Sequence, residues 1–356
     1  MQDNVPVTVR EAFDTAKKYF PTPLQAFQFY DKYSRYDYSK GRRETWVETV
    51  DRATEYLREL SNNKLEPEIY ERIRTNILEM KATPSMRLLA MAGDAARRNN
   101  ICIYNCSFMG IDSLDAWVEA LIISMCGCGV GFSVEKKFID QLPIVQPQIV
   151  EGPAMVYVIP DTTEGWAESL RFGVEAWFNG VDVAFDYSEN RPAGAVLKTK
   201  GGQASGPQPL MDLLNFCRKT FLGAQGRKLT SLECHDIMCM VGQAAVSGGV
   251  RRTAMISLFD YDDDEMRNCK NGDNLIGNDQ RWNANNSAVW PEGILDTDIR
   301  RQMGEMHDGG RGEPGIFNRH AANNLKPDRR QARDDFGTNP CGEINLRSGE
   351  FCNLTI

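Results

Sequence analysis

GTNPCGEINLRSGEFCNLTI, residues 337–356, is the stretch from which the fold and the chemistry of this chain can be inferred. In an extended loop, Cys341 and Glu343 project to the same side because they are two residues apart. A thiol and a carboxylate then face one substrate as an acid/base-capable pair. Cys352 follows in a predicted strand, and Cys106 in YNCSF lies far upstream, so only the fold can bring these two thiols together.

The composition of the chain excludes several classes of protein. Its 356 residues are 42% apolar, which suits a sizeable core and roughly two domains. Its 41 basic and 49 acidic residues give a net charge of -8, the wrong sign for holding nucleic acid by its phosphates. The longest apolar run, 120–132, is shorter than the ~20 residues of a membrane span, and the start resembles no secretory signal. We therefore expect a cytoplasmic protein that binds neither nucleic acid nor membranes.

Ten cysteines in a chain without a secretory signal predict core thiols, metal ligands or catalytic groups rather than disulfide staples. Cys234, His235 and Cys239 in LECHDIMCMV superficially resemble metal ligands. Their spacing matches no zinc motif, and no second pair follows at the distance of a zinc finger. We predict a helix with buried sulfur here and no metal site.

The first 84 residues have the pattern of a helical region. Thr45 and Glu48 form a capping box, and apolar residues follow at steps of three and four. From residue 85 the composition shifts towards Gly, Ser, Cys and β-branched residues, which indicates a mixed α/β body. The sequence therefore predicts a helical region over 1–84 and an α/β domain over 85–356.

Within that body, one helix is predicted from Asp112, as its N-cap, to Met125, and a second from Asp161 to Asn179. Alternating polarity over 181–187 predicts a strand. The glycines of CGCGVGFSVE, residues 126–135, resemble a nucleotide-binding loop, but no strand immediately precedes them and no lysine follows at the required spacing. We predict a close-packed turn into a buried strand instead, with Cys126 and Cys128 as packing residues.

NPCGEI followed by CNL closely resembles the finger loop and a redox-cysteine segment of ribonucleotide reductase catalytic chains. YNCSF resembles the segment that bears the other redox cysteine. The resemblance is strongest to the adenosylcobalamin-dependent (class II) reductases and covers essentially the whole chain. Further family segments occur in the family's order: FYDKYSRYDYSKGRRETWVETVDR, TPSMRLL, GVGFSVE, RPAGAVLKTKGGQASGP, GGVRRTAMISLFD, WNANNSAV and EPGIFNR.

The resemblance implies thiyl-radical chemistry that replaces the ribose 2′-hydroxyl of a ribonucleotide with hydrogen. Cys341 would become the thiyl radical that abstracts the 3′ hydrogen, Glu343 would act as general base, and Asn339 would hold the substrate. Cys106 and Cys352 would supply the reducing equivalents and finish as a disulfide, which requires Cα atoms within about 7 Å. Thiol–disulfide exchange with a mobile cysteine pair, and then with a thioredoxin-like protein, would reduce that disulfide. The cofactor implied is adenosylcobalamin, with most contacts outside these residues.

Two further sets of residues follow from the resemblance. Ser85 and Asn105 match segments that line the substrate site, although either side chain could equally cap a turn. A deoxynucleoside triphosphate effector would bind near Asp112 and Ser113, and the flexible loop 277–286 would relay its identity. The loop residues predicted to take part are Gly277, Asn278, Gln280 and Arg281.

The implied fold is the ten-stranded α/β barrel of ribonucleotide reductases, of which this chain would form the N-terminal half. Family catalytic chains continue well beyond the second redox cysteine, whereas this sequence ends at Ile356. A split gene, an intein or a truncation would each account for this. Half a barrel exposes a sheet edge, so we expect a complementary C-terminal polypeptide and no activity without it.

Several alternatives remain open from the sequence. The radical could come from a separate metal-bearing subunit, as in class I reductases, or the chain could be a non-catalytic fragment that binds effector nucleotides. The substrate could be a di- or a triphosphate. The helix from Asp161 could pair with a second copy in a homodimer or pack against its own chain.

Overall fold

The computed structural model describes residues 17–149, 152–153, 155–195, 203–247 and 254–355. These residues form two compact units, one of Met1–Asn105 with Asn353–Ile356 and the other of Cys106–Cys352. The two units thus meet in sequence between Asn105 and Cys106. The division after residue 84 stays a prediction about domain organisation.

The first unit is mainly helical. Glu48 N donates to Thr45 Oγ1 at 3.2 Å and Thr45 N donates to Glu48 Oε2 at 2.7 Å, so the predicted capping box is confirmed. Trp46 is buried, and its indole N–H donates to Leu78 O at 3.1 Å, which joins two helices. The elements are α1 (Pro23–Lys32), β1 (Tyr36–Asp37), β2 (Arg42–Arg43), α2 (Trp46–Leu60), α3 (Pro67–Leu78), α4 (Met86–Met91) and α5 (Asp94–Arg98), followed by a 3-10 turn at Asn100–Ile103.

The second unit is built on a six-stranded sheet in the order β12-β3-β4-β7-β8-β9. Its strands β3, β4, β7, β8 and β9 are parallel, and β12 pairs with β3 in the antiparallel direction. β3 and β4 are buried along their whole length, as expected for parallel strands covered on both faces. The strands are β3 (Cys106–Gly110), β4 (Gly129–Ser133), β7 (Met255–Asp260), β8 (Asn285–Val289), β9 (Gly315–Phe317) and β12 (Glu350–Cys352).

Two smaller strand pairs complete the β-structure of this unit. β5 (Met155–Val158) and β6 (Val183–Asp186) are parallel, and β10 (Phe336–Thr338) and β11 (Asn345–Arg347) form an antiparallel hairpin. The strand predicted over 181–187 is therefore present but shorter. The helices are α6 (Asp115–Met125), α7 (Lys136–Ile139), α8 (Thr163–Phe178), α9 (Gln208–Gly223), α10 (Ser231–Ser247), α11 (Asp264–Asn268), α12 (Asp296–Asp308) and α13 (Arg319–Asn324), and 3-10 turns lie at Gly272–Leu275 and Asp279–Asn283.

Two predicted helix starts were wrong. Asp112 is not an N-cap, because Ile111 N still donates to Ser133 O and continues the β3–β4 ladder, so α6 begins only at Asp115. α8 begins at Thr163 rather than at Asp161. The Thr162 hydroxyl caps it by accepting from Gly165 N at 2.8 Å, while the Asp161 carboxylate is 2.6 Å from Arg191.

The predictions for buried sulfur and for the glycine run were correct. Cys234 and Cys239 are fully buried in α10. Gly127 turns the chain with φ +79°, and the buried strand β4 follows at Gly129. No group of three or more His, Cys, Asp or Glu side chains in the described part of the chain could hold a metal ion.

None of the helices in the described ranges is long and apolar enough to cross a membrane. Parts of the quoted family segments, and the amino-terminal stretch considered for a secretory signal, lie outside the described residues. These parts are 1–16, 196–202 and 248–253.

Candidate active site

The segment that carries Cys341 is a hairpin, here called the finger-loop hairpin, formed by residues 336–347. At its tip, Gly342 N donates to Asn339 O at 2.9 Å, which closes a four-residue β-turn. Pro340 occupies the second position, where its fixed φ favours a turn, and Gly342 adopts φ +85°, a conformation that glycine tolerates. The extended loop predicted around Cys341 was therefore wrong, because these two residues fold it into a turn.

Glycines allow the finger-loop hairpin to lie directly against the sheet. A Cβ atom on Gly131 of β4 would lie 2.0 Å from Thr338 O, and one on Gly337 would lie 2.1 Å from the Phe108 ring. A Cβ on Gly129 would be 3.1 Å from Pro340 Cγ and 3.5 Å from Cys106 Sγ. The glycine run was predicted to be close-packed, but its role in seating this hairpin was not predicted. Glycine at alternate strand positions is the signal, because it marks close backbone approach.

Cys106 and Cys352 lie directly opposite each other in the antiparallel pair of β3 and β12. Residues in such register have Cα atoms about 4.5–5.5 Å apart, inside the range that a disulfide can bridge. Both side chains are buried, and they share an apolar cluster with Phe108, Ile256 and Leu346, among others.

The electrostatics of this site keep its thiols protonated at neutral pH. A hydrogen bond with Cys352, together with burial, raises the pKa of the Cys106 thiol, and the Asn339 amide opposes that rise. Burial, the Glu343 carboxylate and Cys352 raise the pKa of the Cys341 thiol, and a hydrogen bond with Cys106 opposes that rise. A protonated thiol can donate a hydrogen atom or a proton, which a thiolate cannot.

Asn339 is fully buried at the start of the turn. Its Oδ1 accepts from Ile344 N at 3.0 Å, which fixes the orientation of the amide. Its Nδ2 is buried without a geometrically well-formed hydrogen bond among the described residues, although the amide lies near enough to the Cys106 sulfur to lower the pKa of that thiol. Because an unsatisfied buried donor is costly, this amide group is suited to a ligand that brings an acceptor oxygen.

Cys341 and Glu343 are exposed in the described chain, whereas Asn339, Cys106 and Cys352 are buried. Cys341 occupies the third position of the turn, and Glu343 follows Gly342. The thiol is therefore accessible at the tip of the finger-loop hairpin, while its electrostatic interactions with Glu343 and Cys106 link it to the carboxylate and to the buried thiols.

The two remaining substrate-site candidates lie in the first unit. Ser85 is the N-cap of α4, and its hydroxyl accepts a hydrogen bond from Leu88 N at 3.1 Å. It therefore has the capping role that was the alternative to a role in binding substrate. Asn105 has a buried Oδ1 with no partner among the described residues.

The effector candidates divide by exposure. Ser113 and Gly277 are exposed, and Asp112 and Asn278 are half-buried. Gln280 is buried, and Arg281 forms a buried bidentate pair with Asp236, at 2.8 and 2.6 Å. The guanidinium of Arg281 also donates to the carbonyls of Cys269 and Asn274. Arg281 thus holds the loop in place in this structure rather than presenting a free cation.

The chain resembles known ribonucleotide reductases in its domain families, its sequence and its fold. The ribonucleotide reductase alpha domain matches residues 8–94, and the insertion domain of B12-dependent ribonucleotide reductase matches residues 133–220. The adenosylcobalamin-dependent ribonucleoside-triphosphate reductase of Levilactobacillus brevis is 31% identical, over 90% of this chain and 52% of the relative. The reductase of the same name from Euglena gracilis is 33% identical, over 88% of this chain and 46% of the relative.

A crystal structure of a B12-dependent (class II) ribonucleotide reductase superposes with a TM-score of 0.82 at 26% identity, covering 98% of this chain and 57% of that one. The α/β fold class and the resemblance inferred from the motifs are thereby confirmed. The chain spans about half the length of these relatives. By sequence and by fold, the chain is similar to the adenosylcobalamin-dependent ribonucleotide reductases over about half of their length.

Proposed function

We propose that this chain supplies the radical cysteine, the general base and the reducing thiols of a reductase that converts ribonucleoside triphosphates to deoxyribonucleotides. The relatives from L. brevis and E. gracilis are named triphosphate reductases, which supports a triphosphate substrate over a diphosphate. The chain spans about half of those relatives, so the activity belongs to the whole protein. Its place would be the cytoplasm, where DNA precursors are made.

The observation that carries this proposal is the direct opposition of Cys106 and Cys352 across β3 and β12. Replacing a hydroxyl with hydrogen consumes two electrons and two protons. Two thiols that become one disulfide release the same number of each. Their burial beside the finger-loop hairpin supports a pair that reacts with a bound substrate rather than with solvent.

The roles of the other residues follow the family resemblance. Cys341, as a thiyl radical, takes the 3′ hydrogen atom of the ribose. Glu343 accepts the proton of the 3′-hydroxyl as general base. Asn339 donates a hydrogen bond from Nδ2 to a substrate oxygen, a role supported by the unpartnered state of that buried donor.

The proposed sequence balances atoms and electrons. Once the 3′ hydrogen is on the Cys341 sulfur, the 2′-hydroxyl leaves as water with a proton from Cys106 or Cys352. These two thiols deliver two electrons and finish as a disulfide. Cys341 then returns its hydrogen atom to C3′ and is again a thiyl radical. The net change is ribonucleotide plus dithiol to deoxyribonucleotide, disulfide and water.

Adenosylcobalamin, when bound, supplies the chemistry that removes a hydrogen atom from a thiol. The chain fits this requirement at Cys341, whose sulfur is exposed at the tip of a hairpin and so accessible to a large cofactor. Its raised pKa keeps that thiol protonated and able to lose a hydrogen atom. We assign Cys341 alone to this contact.

The proposal includes further partners. A thioredoxin-like protein would reduce the disulfide by thiol–disulfide exchange. A complementary C-terminal polypeptide would continue the sheet next to β9, which pairs only with β8 among the described strands. A deoxynucleoside triphosphate would act as effector near Asp112, Ser113, Gly277 and Asn278, with Gln280 and Arg281 shaping the loop. A homodimer is the remaining assembly to test.

A series of cysteine variants in the full-length holoenzyme tests the proposal. Cys341→Ala should abolish both the thiyl signal in electron paramagnetic resonance and the formation of deoxyribonucleotide. Cys106→Ser and Cys352→Ser should retain cleavage of the 3′ carbon–hydrogen bond, measured with 3′-tritiated substrate, but should not turn over cleanly. Cys126→Ser, a thiol outside the site, is the matched control and should be active. Equal behaviour of the three site variants would contradict the division of roles.

A further inference from the structure

A buried ion pair lies beside the strand that leads into the finger loop, and the proposed chemistry does not use it. Arg319 Nη1 and Nη2 donate to the two carboxylate oxygens of Glu135 at 2.8 and 2.7 Å. Glu135 is 3% exposed and Arg319 is 8% exposed. The two residues are 184 positions apart, so the pair ties the end of β4 to the start of α13.

Neither side chain of the pair caps its own helix, so helix capping does not explain its burial. Glu135 occupies the N-cap position of α7, yet its side chain makes no capping hydrogen bond. Instead its carboxylate accepts from Ser133 Oγ at 2.7 Å. Arg319 is the first residue of α13, and the preceding residue, Asn318, caps that helix. Both side chains are therefore directed away from their own helices and towards each other.

The third donor of Arg319 connects the pair to the finger-loop hairpin. Arg319 Nε donates to Phe336 O at 2.8 Å, and Phe336 is the first residue of β10. The guanidinium also lies over the rings of Phe317 and Phe336, at 5.5 and 5.8 Å. Lys137, 3.4 Å from Glu135, donates to the carbonyl of Asp334 just before the same strand. The base of the hairpin is thus held on one side by the buried Arg319 and the exposed Lys137.

The opposite charges of Glu135 and Arg319 stabilise the contact between Arg319 and the finger-loop hairpin. Burial disfavours the charged Glu135 carboxylate, but the hydrogen bonds and charge of Arg319 more than compensate and lower its pKa. Three hydrogen bonds fix the guanidinium plane, which lysine could not reproduce. Removing one partner would leave the other charge buried and unpaired.

We propose that Arg319, held by Glu135, is a positioning residue that sets the place of the finger-loop hairpin and so of the Cys341 sulfur. This inference rests on the proposed function, because it concerns where the radical must be delivered. Arg319 binds the carbonyl of Phe336, five residues before Cys341, and would position Cys341 through the backbone of the hairpin. A shift of about 1 Å in a reacting group can lower a rate by ~100-fold.

The test compares Arg319→Lys and Glu135→Gln with Arg333→Lys in the full-length holoenzyme. Arg333 forms a similar bidentate pair with Asp335, at 2.7 and 2.6 Å, just before the same strand but exposed. We expect Arg319→Lys to lower kcat by roughly 10- to 100-fold with KM within about threefold of the unmodified protein. Hydrogen exchange at the amides of Gly342 and Ile344 should accelerate at least about tenfold. Arg333→Lys should leave both readouts unchanged.

Glu135→Gln keeps the shape of the side chain and gives the same comparison if Arg319→Lys does not fold. Unchanged kcat and unchanged exchange in these variants would overturn the proposal, and so would equal effects of Arg333→Lys. The exchange measurement needs no substrate or cofactor. Failure of the proposed function would therefore appear as inactivity of the unmodified protein, while the exchange result would still decide the positioning role.

Discussion

Replacing Gly131 with alanine tests whether the finger-loop hairpin must lie in direct contact with β4. The new Cβ would be 2.0 Å from Thr338 O, about 1.4 Å less than an ordinary contact distance of 3.4 Å. Thr338 O is a backbone atom in β10, so it can move away only if the strand moves. The hairpin must therefore shift by an ångström or more, or the sheet must open.

Overpacking of this kind costs about 1–3 kcal/mol of unfolding free energy. A shift of about 1 Å at the hairpin should also lower kcat by ~100-fold, because Cys341 would be misplaced. Urea denaturation of the full-length protein and a reductase assay measure the two effects. Gly304→Ala in α12 is the matched control, since nothing lies within 4 Å of its Cβ, and it should stabilise by about 0.5–1 kcal/mol. A Gly131→Ala protein with unchanged stability and activity would refute the reasoning.

Three further predictions concern the Glu135 carboxylate, two ion pairs of different burial and the accessibility of the Cys341 thiol. The lowered pKa of Glu135 means that its pairing stabilises the fold above the unfolded value of about 4.3, and this stability is lost as the pH falls from there through the folded pKa. The free energy of unfolding should therefore fall less steeply with decreasing pH in Glu135→Gln than in the unmodified protein. The same pH dependence in both proteins would contradict this. Asp236→Ala, which leaves the Arg281 charge buried, should cost about 3–5 kcal/mol in urea denaturation, whereas Asp335→Ala in an exposed pair should cost about 1 kcal/mol or less. Iodoacetamide should modify Cys341 before the buried redox cysteines, but more slowly at pH 7 than an unperturbed thiol because its pKa is raised, and peptide mass spectrometry would reveal a different order.

Local signals in the sequence predicted the local features of the fold. The capping box at Thr45 and the buried cysteines of α10 follow from residues that are close in sequence. The start of α6 did not, because the strand ladder continues to Ile111 through its bond to Ser133, a partner more than 20 positions away. The turn at Cys341 is indicated locally by Pro340 and Gly342, but the spacing of Cys341 and Glu343 also fits an extended loop, and that prediction was wrong.

The candidate site could be predicted only in part, because its contacts join residues that are far apart in sequence. Motif resemblance identified Cys106 and Cys352, but their opposition depends on β12 returning to the edge of the sheet beside β3. The partner of Arg281, Asp236, is 45 residues away, and nothing in the loop itself indicates a buried pair. Arg319 and Glu135 likewise lie in unremarkable local sequence and become a unit only through the fold.

A single-turnover experiment without external reductant tests the central claim most directly. The pre-reduced full-length protein is mixed with adenosylcobalamin and a ribonucleoside triphosphate, and deoxyribonucleotide and disulfides are quantified together. We predict one Cys106–Cys352 disulfide for each deoxyribonucleotide, and neither product in Cys341→Ala. Deoxyribonucleotide formed without that disulfide, or formed by Cys341→Ala, would contradict the proposed function.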